Sequence, residues 1–243
     1  MIRLENLDKQ FKTVKAVDGL TLEVSKGEVF GLLGENGAGK TTTLRLLATM
    51  LKPTGGTAII NGEDLVENPD KVRESIGILF GGETGLYDRL SARENIAYFG
   101  QLNGMEKEAL NARIDDLCKR LGMEEYMDRR AGKFSKGMKQ KVAIARSIVH
   151  NPPIMLFDEP TSGLDVTAIR VVQEFIKELK NEGKTIIFSS HSMAEVEKLC
   201  DRVGVINKGK LVAIGTLEEL KREHGTDDLE EVFIRLIGGE KHD

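Results

Sequence analysis

No stretch of this sequence carries an apolar run long enough to cross a bilayer, and the first residues, Met1-Ile2-Arg3-Leu4-Glu5-Asn6-Leu7-Asp8-Lys9, have no apolar core of signal-peptide length. Tryptophan is absent and aromatic residues are few. The two cysteines, Cys118 and Cys200, match no C-x-x-C spacing. Neither a disulfide framework nor a zinc site is indicated, and a reducing compartment is expected. Excess basic charge is missing as well: 35 Lys and Arg against 39 Asp and Glu leave a formal net charge of −4. No global field recruits nucleic acid, and none is expected as a partner. Together these absences predict a cytoplasmic protein unless another chain holds it elsewhere. At 243 residues the chain is long enough to bury a sizeable core in one or two domains.

What the chain does have is Gly34-Glu35-Asn36-Gly37-Ala38-Gly39-Lys40-Thr41-Thr42, which fits the phosphate-cradling pattern G-x-x-x-x-G-K-[S/T]. The apolar stretch Val29 to Leu33 before it reads as a buried strand. Leu44, Leu47, Ala48 and Leu51 after it recur at i, i+3, i+4 and i+7, the stripe of a helix. Glycines let the backbone curl so that N–H groups face phosphate oxygens, and the helix N-terminus adds partial positive charge. Lys40 is expected to reach the β- and γ-phosphates of a nucleoside triphosphate, and Thr41 to offer its hydroxyl to Mg²⁺. A second apolar run, Ile154 to Phe157, ends in Asp158 and Glu159. Carboxylates at the carboxyl end of such a strand sit where α/β sheets bind ligands: the first can hold Mg²⁺, the second can polarise an attacking water.

Along the chain, residues 2–7 and 20–24 read as an antiparallel pair joined by a polar turn containing Phe11. Thr57 to Ile60 reads as a strand ending in an Asn61-Gly62 turn, and Ile76 to Phe80 as a further buried strand. Ser91-Ala92-Arg93-Glu94 has the form of a capping box for a helix reaching Asn103-Gly104. Helices are expected from Glu106 to Leu121 and around Met138 to Val149, so residues 84–150 form a helical insertion in an otherwise alternating β/α chain. Beyond it, Thr185 to Ser189, Val203 to Ile206 and Leu211 to Ile214 read as strands and Ile169 to Leu179 as a helix. Ser192-Met193-Ala194-Glu195 and Thr216-Leu217-Glu218-Glu219 are expected to cap two more helices.

These motifs, in this order, resemble the ATP-binding subunits of ABC transporters over nearly the whole chain. Phe157-Asp158-Glu159-Pro160-Thr161-Ser162-Gly163-Leu164-Asp165 is similar to that family's Walker B and D-loop. His191, after Thr185-Ile186-Ile187-Phe188-Ser189-Ser190, matches the switch histidine, and Phe11 the aromatic that stacks on adenine. Phe134-Ser135-Lys136-Gly137-Met138 stands at the signature, where Leu-Ser-Gly-Gly-Gln is usual. The Lys-Gly-Met variant is similar to cassettes of ABC-2-type exporters. Gly81 stands where the family places a glutamine in its Mg²⁺ shell, with Glu83 the closest oxygen donor in sequence. The segment Leu79 to Arg89 resembles the corresponding loop of bacterial sodium-efflux ABC exporters.

The resemblance implies an α/β P-loop NTPase with a RecA-like, doubly wound core, an antiparallel β lobe and a helical lobe that docks a membrane partner. It implies an ATP-binding domain over 1–220 and a short helix with a polar tail over 221–243. It further implies ATP and Mg²⁺ as ligands, Glu159 as general base and His191 as stabiliser of the γ-phosphate and water. Two copies are then expected head to tail, with ATP between Lys40 of one and Ser135 and Gly137 of the other, on the inner face of the membrane beside a polytopic permease. The alternative is a soluble ABC ATPase acting on DNA or ribosomes, but such chains carry tandem cassettes or a long coiled-coil insertion. A guanine-specific N-K-x-D motif is not met by Asn207-Lys208-Gly209-Lys210. Glu159 disfavours a sensing module without turnover.

Overall fold

The computed structural model describes residues 1–80 and 85–238. A six-stranded sheet forms the centre, in the order β10 (Lys210–Gly215), β9 (Arg202–Asn207), β3 (Val29–Leu33), β8 (Thr185–Ser190), β7 (Ile154–Asp158), β6 (Ile76–Leu79). All neighbours pair in parallel except β9 and β10. All residues of β3, β7 and β8 are buried, as expected of parallel strands covered on both faces. Strand alternation sends Val29 and Leu33 into one apolar cluster and Phe30 and Leu32 into another, so the sheet divides two cores.

A smaller antiparallel sheet runs β2 (Val14–Val24), β1 (Ile2–Phe11), β4 (Gly55–Ile60), β5 (Glu63–Asp64). The antiparallel lead-in is as expected, but both strands are longer than the apolar pattern suggested. Irregular register between Leu4 and Gln10 breaks the alternation that marks a strand in sequence. Phe11 therefore ends β1, paired with Val14, and does not lie in the expected turn. The two-residue β5 and the helix α2 (Pro69–Ser75) were not foreseen: α2 is short and buries only Val72 and Ser75, too few positions to show a period.

Helix α1 (Lys40–Leu47) is shorter than its apolar stripe implied. Ala48 caps it and Thr49 turns left-handed at φ 57, so Leu51 reaches its core from beyond the helix. The helical insertion is present in the described residues as α3 (Ala92–Leu102), α4 (Lys107–Arg120) and α5 (Lys136–Ile148). The Ser91–Glu94 capping box forms at α3, with the Ser91 N–H donating to Glu94 Oε2 at 2.7 Å and the Glu94 N–H to Ser91 Oγ at 3.1 Å. Leu110, Ile114, Leu117 and Cys118 of α4 fill the same core as Val142 and Ala145 of α5.

The remaining helices are α6 (Val166–Asn181), α7 (Met193–Leu199), α8 (Leu217–His224) and α9 (Leu229–Leu236). Thr216 and Glu219 make the expected capping box on α8. Ser192 stands at the N-cap of α7 but its side chain caps nothing. Glu195 is buried and accepts from the Ser190 hydroxyl at 2.9 Å, and the same hydroxyl accepts from the Ser192 N–H at 3.0 Å, so the capping groups are spent on the end of β8. The expected boundary at residue 220 falls within α8, and Leu229 and Val232 of α9 pack into the main core.

Candidate nucleotide-binding site

The loop between β3 and α1 is shaped by what surrounds it. A Cβ at Gly34 would stand 2.5 Å from the Ile206 carbonyl oxygen, and one at Gly39, whose φ is 115, would stand 2.5 Å from that of Ala16. Neither distance is tolerable, so both positions need glycine. Gly37 faces the other way, with no atom within 4 Å of where its Cβ would be. Glu35, Asn36 and Gly37 are exposed, while Ala38, Gly39 and Lys40 are buried, and Thr41 and Thr42 are half-buried on α1. No side chain caps α1 and no acid lies in its first turn, so the partial positive charge at its N-terminus is left for an anion.

Lys40 curls back over the loop, donating to the Gly34 carbonyl at 2.6 Å and the Glu35 carbonyl at 3.1 Å. Burial pushes its pKa below the usual lysine value, against the pull of Glu159 and Asp158. The Thr41 hydroxyl donates toward the Asp158 carboxylate, 3.0 and 2.8 Å from its two oxygens. The Ser189 hydroxyl donates to Asp158 Oδ1 at 2.6 Å. Sheet register places that pair side by side, Asp158 opposite Ser189.

Glu159 follows with a left-handed backbone, φ 47, a conformation uncommon outside glycine. Its N–H reaches the Ser189 carbonyl at 3.2 Å and hydroxyl at 3.1 Å. Its Oε1 lies 3.2 Å from Nδ1 of His191 and 4.0 Å from Nζ of Lys40. The exposed His191 and Glu159 share the wall of a 180 Å³ cavity with Ser190 and Glu195. A larger cavity of 420 Å³, between Leu51, Leu65 and Arg73, contains none of these groups.

Lys40, Thr41, Asp158, Glu159 and His191 thus form one contact network. Ser135, Gly137 and Phe11 stand outside it among the described residues. Ser135 caps α5, its hydroxyl accepting from the Met138 N–H at 3.3 Å. Gly137 packs close to α6, where a Cβ would stand 3.3 Å from that of Ala168. Phe11 is exposed, with Nζ of Lys9 5.1 Å from its ring centre. Gly81 and Glu83 lie outside the described residues.

The sequence pattern of the ABC transporter family matches residues 17–162. The chain is 52% identical to the ABC transporter ATP-binding protein NatA of Bacillus subtilis (strain 168), covering 98% of this chain and 99% of that one. The chain belongs to the ATP-binding subunits of ABC transporters. Among solved structures, an ATP-binding subunit of an ABC transporter superposes with a TM-score of 0.90 at 30% identity, covering 98% of this chain and 100% of that one. A dimeric ATP-binding cassette, MJ0796, in a post-hydrolysis state with ADP and Pi, gives 0.82 at 26% identity over 89% and 98% of the two chains. The cassette described here is accordingly an ATPase of the P-loop fold.

Three groups in this cassette escaped the sequence reading. Ser189 holds Asp158 and the Glu159 backbone, and Glu195 anchors the strand that presents His191. Gln140 Nε2, buried on α5, donates to the Pro160 carbonyl at 2.7 Å and so ties the signature helix to the turn after Glu159. The Ser189-Ser190-His191 run was a visible hint, two hydroxyls closing an apolar strand. Gln140 had no local signal.

A divalent cation fits the donor set. Among the described residues no group of three or more His, Cys, Asp and Glu could hold a metal alone. Thr41 and Asp158 instead offer hard oxygens from one side, the arrangement that suits Mg²⁺ carried in with phosphates.

Proposed function

We propose that this cassette powers an exporter of sodium ions, working as a homodimer beneath a separate polytopic membrane subunit. The observation that carries the cargo is the Leu79–Arg89 segment, which resembles the loop of bacterial sodium-efflux ABC exporters. Similarity to NatA over 98% of this chain and 99% of that one supports reading this chain as the ATP-binding partner of such a membrane subunit. Among the described residues no helix is long and apolar enough to cross a membrane, so the reading assigns the pathway to the partner.

In this reading Gly34 to Thr42 bind the phosphates, Phe11 stacks on adenine, and Thr41 and Asp158 hold Mg²⁺, which neutralises phosphate charge when bound. Glu159 accepts the proton of the attacking water, and His191, bonded to the same carboxylate, orients it and meets the γ-phosphate. Ser135 and Gly137 close over the partner copy's nucleotide. Two-fold symmetry gives two identical sites.

The test is to isolate the chain with its membrane subunit from its own cell and place the pair in vesicles. ATP-driven Na⁺ movement, lost on substituting Glu159 and not supported equally by K⁺, is the expected result. ATP turnover indifferent to Na⁺, with no Na⁺ movement, would overturn the cargo.

A further inference from the structure

The turn that joins β9 to β10 is built unlike a solvent hairpin. Gly209 at its tip is buried, although Lys208 and Lys210 on either side are exposed. Its N–H donates to the Ala38 carbonyl of the phosphate loop at 2.8 Å, and its carbonyl accepts from the Asp18 N–H of β2 at 2.9 Å. One residue therefore bridges the parallel core to the antiparallel lobe at the phosphate loop. The Ala16 carbonyl is wedged into the same junction. It would stand 3.0 Å from a Cβ at Gly209 and 2.5 Å from one at Gly39. Outside it, Lys210 Nζ lies 3.3 Å from Asp18 Oδ2, and Lys15 pairs with both Asp18 and Asp8.

The β1–β2 hairpin carries the platform. Phe11 pairs with Val14, and Gln10 with Lys15, so the ring stands only a few residues from the wedged Ala16 carbonyl. Val14 and Lys15, the partners of Phe11 and Gln10, directly precede Ala16 on β2, while the phosphate loop has its own bonds through Lys40.

We propose that the Asn207–Lys210 turn, through Gly209, is a positioning element of the nucleotide site: it holds the base-stacking platform at Phe11 in register with the phosphate loop. The inference rests on the nucleotide reading of Phe11 and the loop. At φ 81 and 3.1 Å from the Ala16 carbonyl carbon, an alanine at 209 is strained and pushes β2 away. Misplacing the platform removes the stacking share of affinity, about tenfold, and leaves the phosphate share.

The experiment titrates the full-length protein with Mg-ATP and with Mg-tripolyphosphate by calorimetry, as parent, Gly209→Ala and Lys210→Met, the last loosening the clasp without adding a Cβ. The expected result is ATP binding weakened about tenfold in Gly209→Ala and in the same direction, less, in Lys210→Met. Tripolyphosphate binding should stay within about twofold of the parent, since it carries no base to stack on Phe11. Equal losses for both ligands would mean that the turn merely supports the phosphate loop, and no loss for either would mean that it supports neither; each overturns the proposal. If Gly209→Ala does not fold, unchanged ATP binding by Lys210→Met overturns it. A parent that binds neither ligand would instead defeat the nucleotide reading itself.

Discussion

Nδ1 of His191 stands 3.2 Å from Oε1 of Glu159, across the carboxyl ends of two neighbouring parallel strands. The pair places an imidazole against the carboxylate read as the base. Glu159→Gln keeps the size and the contact but cannot take a proton. ATP turnover should fall by ~10²–10⁴-fold with ATP binding retained, and sizing chromatography with ATP should then show a dimer where the parent runs mainly as monomer. A monomeric variant in saturating ATP would count against a shared site.

Lys40→Ala removes the buried cation together with its bonds to the Gly34 and Glu35 carbonyls. ATP affinity measured by calorimetry should drop by about 100-fold, the loss expected of charge-assisted bonds to phosphate. Unchanged affinity would show that the loop does not hold the phosphates.

Ser189→Ala deletes the donor to Asp158 Oδ1 and an acceptor of the Glu159 N–H. Without that support the carboxylate is free to rotate from Thr41. The Mg²⁺ concentration for half-maximal ATPase should rise by about tenfold, with the fold and melting temperature little changed. Superimposable Mg²⁺ titrations would remove Ser189 from the site.

His150 supplies a pH prediction. Burial holds its imidazole below the ordinary value of 6.5, Lys184 adds to that, and the bond between its Nε2 and the Ile76 carbonyl, at 3.1 Å, opposes it. The unfolded chain therefore takes up a proton first as pH falls. Stability is lost from about 6.5 down to the folded pKa and then levels, at about 1.4 kcal/mol per unit of depression. His150→Gln keeps an amide donor and does not titrate. Urea midpoints for this variant should be flatter than the parent's over that range; parallel curves would assign the acid loss elsewhere.

Much of this site could be read along the chain because its parts are local. An apolar strand, a glycine-lysine loop and an apolar stripe are consecutive, and steric and hydrophobic periodicities act over a few residues, so the fold class and Lys40, Thr41, Asp158 and Glu159 were legible. The folded chain alone decided which of these meet. Thr41 and Asp158 are 117 positions apart and touch only because the sheet orders β3, β8 and β7 side by side. The same ordering brings Ser189 onto Asp158, turns Glu195 from capping α7 to bracing β8, and buries Gly209 against Ala38. The hydroxyls of Ser189 and Ser190 were a local hint, but the partners they meet, and the contact of Gly209 with Ala38, have no local signature. A hydrogen bond across a sheet depends on strand order and register, which are set by the packing of the whole core and not by the residues that make the bond.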